Sequence, residues 1–225
     1  MVEPVKSRRY ESPRRREQAA ATRREILEAA QRLFERQGYA ATTMAAIAAE
    51  AGVAVKTVYV AFETKSGLLR ALWNHLLRAG RDEVPVAQQD WYREVVDEPD
   101  PERQVHLIAR NSAAVKRRAA ELMRVIRDAA ASDPDIAGLW SRIQSDFYDN
   151  QRRIVEALHA RKALRPGVDV ERAADILWAL NHPDVWHLVV GERGWTAEDW
   201  ERWFADTVMA QLLRPRPVRR ARRRR

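Results

Sequence analysis

An all-α fold is predicted by three features of this 225-residue chain. Only 8 glycines are present, and the strict alternation of a half-buried strand is nearly absent. Apolar residues recur instead at three- and four-residue spacing, the period of a helix face. The gaps between those stretches carry helix stops and starts: Gly38, Gly52, Asp133-Pro134, Pro166-Gly167 and Thr196 with Asp199. About nine helices are expected, as an N-terminal three-helix unit joined by a long fourth helix to a larger helical domain.

The elements follow in order. Residues 1–18 are polar, basic and broken by proline, and are expected to form a disordered arm. The first helix is expected from about Ala19 to Gln37, with Ile26, Leu27, Ala30, Leu33 and Phe34 inward and Gly38 as its stop. From Thr42 to Leu69 the chain reads TTMAAIAAEAGVAVKTVYVAFETKSGLL. This is a short alanine-rich helix around Ile47, a turn at Gly52 where positive φ is needed, and a second short helix with Val58 and Phe62 inward. Short helix, glycine turn, short polar helix is the layout of a helix-turn-helix, whose second helix enters the DNA major groove. Thr64 is the expected cap of the fourth helix, which carries Leu68, Leu69, Leu72, Trp73, Leu76 and Leu77.

Residues 82–101, with three prolines, are expected to be a connection around a short piece near Trp91. A helix is expected from Glu102 to Ala131, with a break near Lys116-Arg117-Arg118. Asp133-Pro134 opens the next, with Ile136, Leu139, Trp140, Ile143, Phe147, Ile154 and Leu158 on one side. Another runs from about Val170 to Val190, disturbed at Asn181-His182-Pro183. The last opens at Thr196. The expected division is 1–18 arm, 19–70 helix-turn-helix domain, 71–213 body and 214–225 disordered arginine-rich tail.

Upstream of the helix-turn-helix lie Thr22, Arg23, Ile26, Leu27, Ala29, Ala30, Leu33, Phe34, Gly38 and Tyr39. With Thr42-Thr43, Ile47-Ala48, Ala51-Gly52-Val53, Thr57-Val58-Tyr59, Phe62, Lys65 and Leu68-Leu69, they resemble the DNA-binding domain of TetR-family transcriptional regulators. The resemblance covers about the first third of the chain with unbroken spacing. It implies a homodimeric regulator, most often a repressor, that binds a palindromic operator in double-stranded DNA and is released by a small hydrophobic or amphipathic ligand. The lack of cysteine suits a cytoplasmic home, and the heavy use of arginine and alanine suits a bacterial one.

Composition agrees with that expectation. Residues 1–70 hold 13 Lys/Arg against 8 Asp/Glu, residues 71–213 hold 19 against 24, and the last twelve hold 8 arginines and no acid. Basic ends flanking an acidic middle suit a nucleic-acid-binding head on a body with another task. The chain has no cysteine, so disulfides, thiol catalysis and Cys-based metal sites are excluded. It shows no apolar run long enough to span a membrane, no secretory signal pattern, no zinc-type spacing, no glycine-rich phosphate loop and no nucleophile elbow. No metal or cofactor is expected. Two rivals remain: a regulator of the same fold that senses no ligand and acts through partners, and a helical enzyme built on His106 or His182.

The DNA contacts are expected from Thr43, Ala45, Val55, Lys56, Thr57, Tyr59 and Lys65. Thr43 caps its helix where the helix N-terminus itself cradles phosphate. Lys65 follows the cap of the fourth helix, where a cation is unfavourable by roughly 0.3–1 kcal/mol unless an anion is present, so a phosphate partner is expected. Tyr59 has a phenolic tip suited to phosphate, and Lys56 with Val55 and Thr57 suits base edges. Ala54 and Ala61 depart from the polar residues common in the family and remove two contacts. The arginine-rich arm is expected to add DNA contacts or none; the tail is expected to supply non-specific charge.

In the body, Ile176, Leu180, Trp200, Trp203, Phe204, Val208 and Leu212 are expected at a four-helix homodimer interface. His106, Asn111, Met123, Trp140, Phe147, Trp178, Asn181, His182 and Trp186 combine large aromatics with a few polar groups. That mixture describes a small-molecule pocket and an ordinary helical core equally well.

Overall fold

The structure, a computed structural model, describes residues 13–77 and 86–215. Among them the architecture is α-helical. Nine helices of seven residues or more and one single-turn helix are present, with no strand beyond an isolated antiparallel bridge between Leu164 and Leu213. The chain divides into two compact units, Met1–Leu72 and Trp73–Arg225.

In the first unit, α1 (Pro13–Ala41) breaks its helical dihedrals at Gly38, whose φ of 78° any Cβ would oppose. Its first turns, from Pro13, occupy residues expected to lie in the arm; residues 1–12 of that arm lie outside the described residues. Ile26, Ala30, Leu33 and Phe34 are buried, together with Ile47 of α2 (Met44–Glu50), Val58 and Phe62 of α3 (Val55–Phe62), and Leu68 and Leu69 of α4 (Lys65–Leu77). Gly52, with φ 67°, turns α2 into α3. Arg23 fastens α1 to the end of α3: its guanidinium donates to the Ala61 carbonyl at 2.7 Å and lies 4.1 Å from the Phe62 ring centroid. That position matches a cation to the negative end of α3.

In the second unit, a 3-10 turn at Val86–Gln88 and α5 (Asp90–Asp97) stand where a short piece is expected near Trp91. The long helices α6 (Pro101–Ala130) and α7 (Pro134–Ala160) pack on each other; α8 (Val170–Leu180) lies on α7, and α10 (Ala197–Leu212) lies on α6 and α8. α6 is continuous through Lys116-Arg117-Arg118, where a break is expected from the charges. Asp100, Asp133 and Asp169 cap the starts of α6, α7 and α8 with their carboxylates, and Thr196 and Asp199 form a reciprocal capping box at α10. Between α8 and α10 lie the single turn α9 (Pro183–Trp186), capped by His182, and a π-helical stretch His187–Glu192. The arginine-rich tail from residue 216 lies outside the described residues.

Candidate functional site

Two sites emerge, one in each unit. In the first, α2 begins at Thr43, whose Oγ1 accepts from the Ala46 N–H at 3.1 Å, leaving Thr43 and Ala45 exposed on the first turn. The next helix starts at Ala54 without a side-chain cap. Val55, Lys56, Tyr59 and Val60 then share one exposed face at i, i+1, i+4 and i+5, with Thr57 half-buried beside them. Opposite them Val58 and Phe62 are buried, so the face is held outward by the core behind it. Val60, 76% exposed, is missing from the sequence-based set. The signal was present, since Val60 lies four residues after Lys56 and is offset by two from the buried Val58.

Lys65, expected at a phosphate, makes contacts within the chain. Its ammonium donates to the carbonyls of Tyr39 at 2.9 Å and Thr42 at 3.0 Å, and lies 4.1 Å from the Tyr39 ring centroid. Those carbonyls belong to the bend between α1 and α2, whose own groups are also tied: Thr42 Oγ1 donates to the Gly38 carbonyl at 2.8 Å. Lys65 therefore relieves the unfavourable helix terminus with main-chain oxygens and braces the bend that presents Thr43. At the same corner Thr64 Oγ1 accepts from Gly67 N–H at 2.9 Å. A Cβ on Gly67 would sit 2.6 Å from the Phe62 carbonyl oxygen, so only glycine fits there.

The second site is a cavity of about 470 Å³ in the body, within the usual range for small-molecule sites. Its walls combine Trp73, Asn74 and Leu77 of α4, Trp91, Tyr92 and Val95 of α5, Ile108, Asn111, Val115, Lys116 and Met123 of α6, and Ile143, Phe147 and Ile154 of α7. Of the nine sequence-based candidates, Asn111, Met123, Phe147 and Asn181 line it, as does Pro183. The other five lie elsewhere, for identifiable reasons. His106 is exposed on the outer side of α6. Trp186 packs into the core against Trp200, with ring centroids 5.2 Å apart. Trp178 meets the edge of His182 at 5.0 Å, and His182 Nδ1 accepts from the Asp184 N–H. Trp140 is on a different face of α7, near Arg124 and Arg127.

A polar chain missed in the sequence crosses the cavity wall. Lys116 Nζ donates to Asn181 Oδ1, and Asn181 Nδ2 donates to Gln151 Oε1 at 3.2 Å. All three are buried, and Nζ lies 4.5 Å from the Trp200 ring centroid. Burial pulls the Lys116 ammonium down to about 7. Tyr92, whose hydroxyl donates to the Asn150 carbonyl at 2.7 Å, is pushed up to about 12, chiefly by burial.

The residues expected at a dimer interface divide by burial. Trp200, Phe204, Val208 and Leu212 are fully buried inside one chain, because the α10 stripe faces α6 and α8. Ile176, Leu180 and Trp203 stay partly exposed, and Leu188 and Trp195 add exposed apolar surface. Among the described residues no group of His, Cys, Asp and Glu is placed to hold a metal, and no single helix is long and apolar enough to cross a membrane.

Comparison with known proteins places the chain in a family. Residues 26–72 match the family described as bacterial regulatory proteins, tetR family. Over 179 residues, 74% of this chain and 79% of the relative, it is 32% identical to ArpR of Pseudomonas putida, described as a probable HTH-type transcriptional regulator. It is 31% identical to the HTH-type transcriptional regulator TtgR of Pseudomonas putida over the same shares. In fold it resembles SmeT of Stenotrophomonas maltophilia, solved in complex with triclosan, at a TM-score of 0.66 and 22% identity, covering 89% of this chain and all of that one. With its helix-turn-helix unit, its all-α body and relatives of this identity and extent, the chain belongs to the TetR family of bacterial transcriptional regulators.

Proposed function

We propose that this regulator is a cytoplasmic repressor that binds a palindromic operator as a homodimer and leaves it when an apolar or amphipathic small molecule fills the body cavity. The observation that carries the reading is the outward face of α3, where Val55, Lys56, Tyr59 and Val60 stand clear of a buried core. Lys56 suits guanine edges, Val55 and Val60 suit thymine methyls, and Tyr59 with Thr43 suits phosphates. One short helix reads few bases, so a two-fold copy is needed for specificity. The half-exposed surface of Ile176, Leu180, Trp203, Leu188 and Trp195 supplies the apolar face for that pairing.

The repressor sign and ligand class are supported by a relative: SmeT is described as the repressor of a multidrug efflux pump and was solved with triclosan. The helix α4 supplies a route for coupling. It runs unbroken from Lys65, the brace of the α1–α2 bend, to Trp73, Asn74 and Leu77 in the cavity wall. A ligand that displaces those three side chains shifts the helix that also positions the DNA-reading corner. It works as an inducer only by binding the DNA-free form more tightly.

The test is a thermal-shift screen of apolar compounds, followed by anisotropy of a selected operator duplex. Compounds that stabilise the protein should raise the Kd for DNA. Stabilising compounds that leave DNA affinity untouched would refute ligand relief, and a screen with no stabilising compound would favour a regulator that acts through partners.

A further inference from the structure

Lys116 is the one buried charged residue among the described residues that line the cavity. It is 7% exposed, comes from the middle of α6, and its ammonium has only neutral partners: Asn181 Oδ1 and the face of Trp200. Groups around it come from every packed element. Gln151 on α7 is neutral, and Trp200 on α10 is neutral. His182 and Asp184 lie at α9; Asp184 is exposed and contacts His182 and Arg127. Asp146, Asp149 and Arg153 also line the cavity, but they are exposed at its solvent side, where water screens them. Burial is the cause of the Lys116 shift, and no carboxylate contributes to it. A buried cation without an anionic partner is costly, and the molecule keeps it beside open volume lined by Phe147, Ile108, Val115 and Met123.

We propose that the cavity selects ligands that carry one acidic group on an apolar body, and that Lys116, positioned by Asn181 and Gln151, pairs with that group. This rests on the reading of the cavity as the effector site and gives that effector a chemical class: a carboxylate or other organic acid, in place of a neutral or cationic amphiphile. The pairing adds an anion beside the neutral acceptor Asn181, at a buried ammonium where an ion pair gains most. It also restores the proton that burial partly removes from the amine. Binding an anionic ligand above neutral pH therefore draws a proton from solvent, whereas binding an alcohol of the same length does not.

The test is calorimetry on the full chain with three probes of equal length: decanoate, decanol and decyltrimethylammonium. Titrations at about pH 8 in two buffers of different ionisation enthalpy measure the proton exchanged. Decanoate should bind about tenfold or more tighter than decanol, with uptake of nearly one proton. In Lys116→Met both the preference and the uptake should vanish while decanol binding persists. The wild-type proton count needs no variant, so it decides even if that variant folds poorly. Decanol and decanoate binding equally without proton uptake would overturn the acidic-ligand inference and leave the cavity as an apolar effector site. Binding of none of the three would overturn both.

Discussion

The two units tie down their polar side chains in different ways. In the first, Thr42 and Lys65 are tied to main-chain carbonyls, and Thr64 to a main-chain N–H, so polarity serves to fix the backbone. In the body, Lys116, Asn181 and Gln151 bond side chain to side chain beside a cavity, and Gln104 and the indole N–H groups of Trp178 and Trp200 are buried without a hydrogen-bond partner. A backbone held by main-chain bonds presents one rigid reading surface. In the body the polar side chains that border the cavity, Lys116, Asn181 and Gln151, lean on one another. That contrast agrees with the proposed division between a fixed DNA-reading unit and a body that takes up an effector.

The largest expected effect breaks the body. Trp200→Ala should lower stability by about 3–5 kcal/mol in denaturant unfolding, because Trp200 is fully buried and stacked with Phe204 at 4.8 Å. Trp203→Asp, on the half-exposed side of the same helix, should instead leave the fold intact and give monomer by sedimentation. If both variants behaved alike, the assignment of α10 to core on one side and interface on the other would be wrong.

Next is the corner of the reading unit. Gly67→Ala should cost about 1–3 kcal/mol and weaken binding to every DNA sequence, since its Cβ meets the Phe62 carbonyl. A comparable loss, about 1.5–3 kcal/mol at most for charged hydrogen bonds, is expected for Lys65→Met. Its DNA binding should weaken without a change in the slope of log affinity against log salt, because the ammonium serves Tyr39 and Thr42. A slope reduced by about one unit would restore a phosphate contact.

The subtlest test concerns pH. Lys116 is depressed in the folded chain to about 7 from an ordinary 10.5. Between those values the unfolded chain binds the extra proton, so stability should rise with pH through that window. Below about 7 both states are protonated and the burial penalty is fully present. Lys116→Met should flatten this rise; identical pH profiles would show that the amine is better solvated than its packing indicates.

The reading unit was legible because local backbone chemistry specifies it. Gly52 and Gly38 mark positive φ, Thr43 and Thr64 mark caps, and Ile47, Val58 and Phe62 mark the core. Lys65 escaped because an ammonium near a helix start suits an external anion and an internal carbonyl equally. In the body the helices were legible from Asp133-Pro134 and from Thr196 with Asp199. The faces were not: Trp200 and Trp203 are three apart on a wide apolar stripe of α10, and only tertiary packing decides which goes inward. Lys116 stands in a Lys-Arg-Arg run that reads as a solvated surface, yet α6 turns its first member into the cavity wall. His106 shows the converse, since a histidine among apolar neighbours points outward.

The central claim is that the exposed face of α3 reads a two-fold symmetric DNA site. Selection from random duplexes with the purified wild-type chain and with Lys56→Ala tests it most directly. The wild type should enrich a palindrome with half-sites about 10 base pairs apart or a multiple of that, and Lys56→Ala should relax the preference at one position in each half. A wild-type selection that enriches no sequence, or one without two-fold symmetry, would contradict the account.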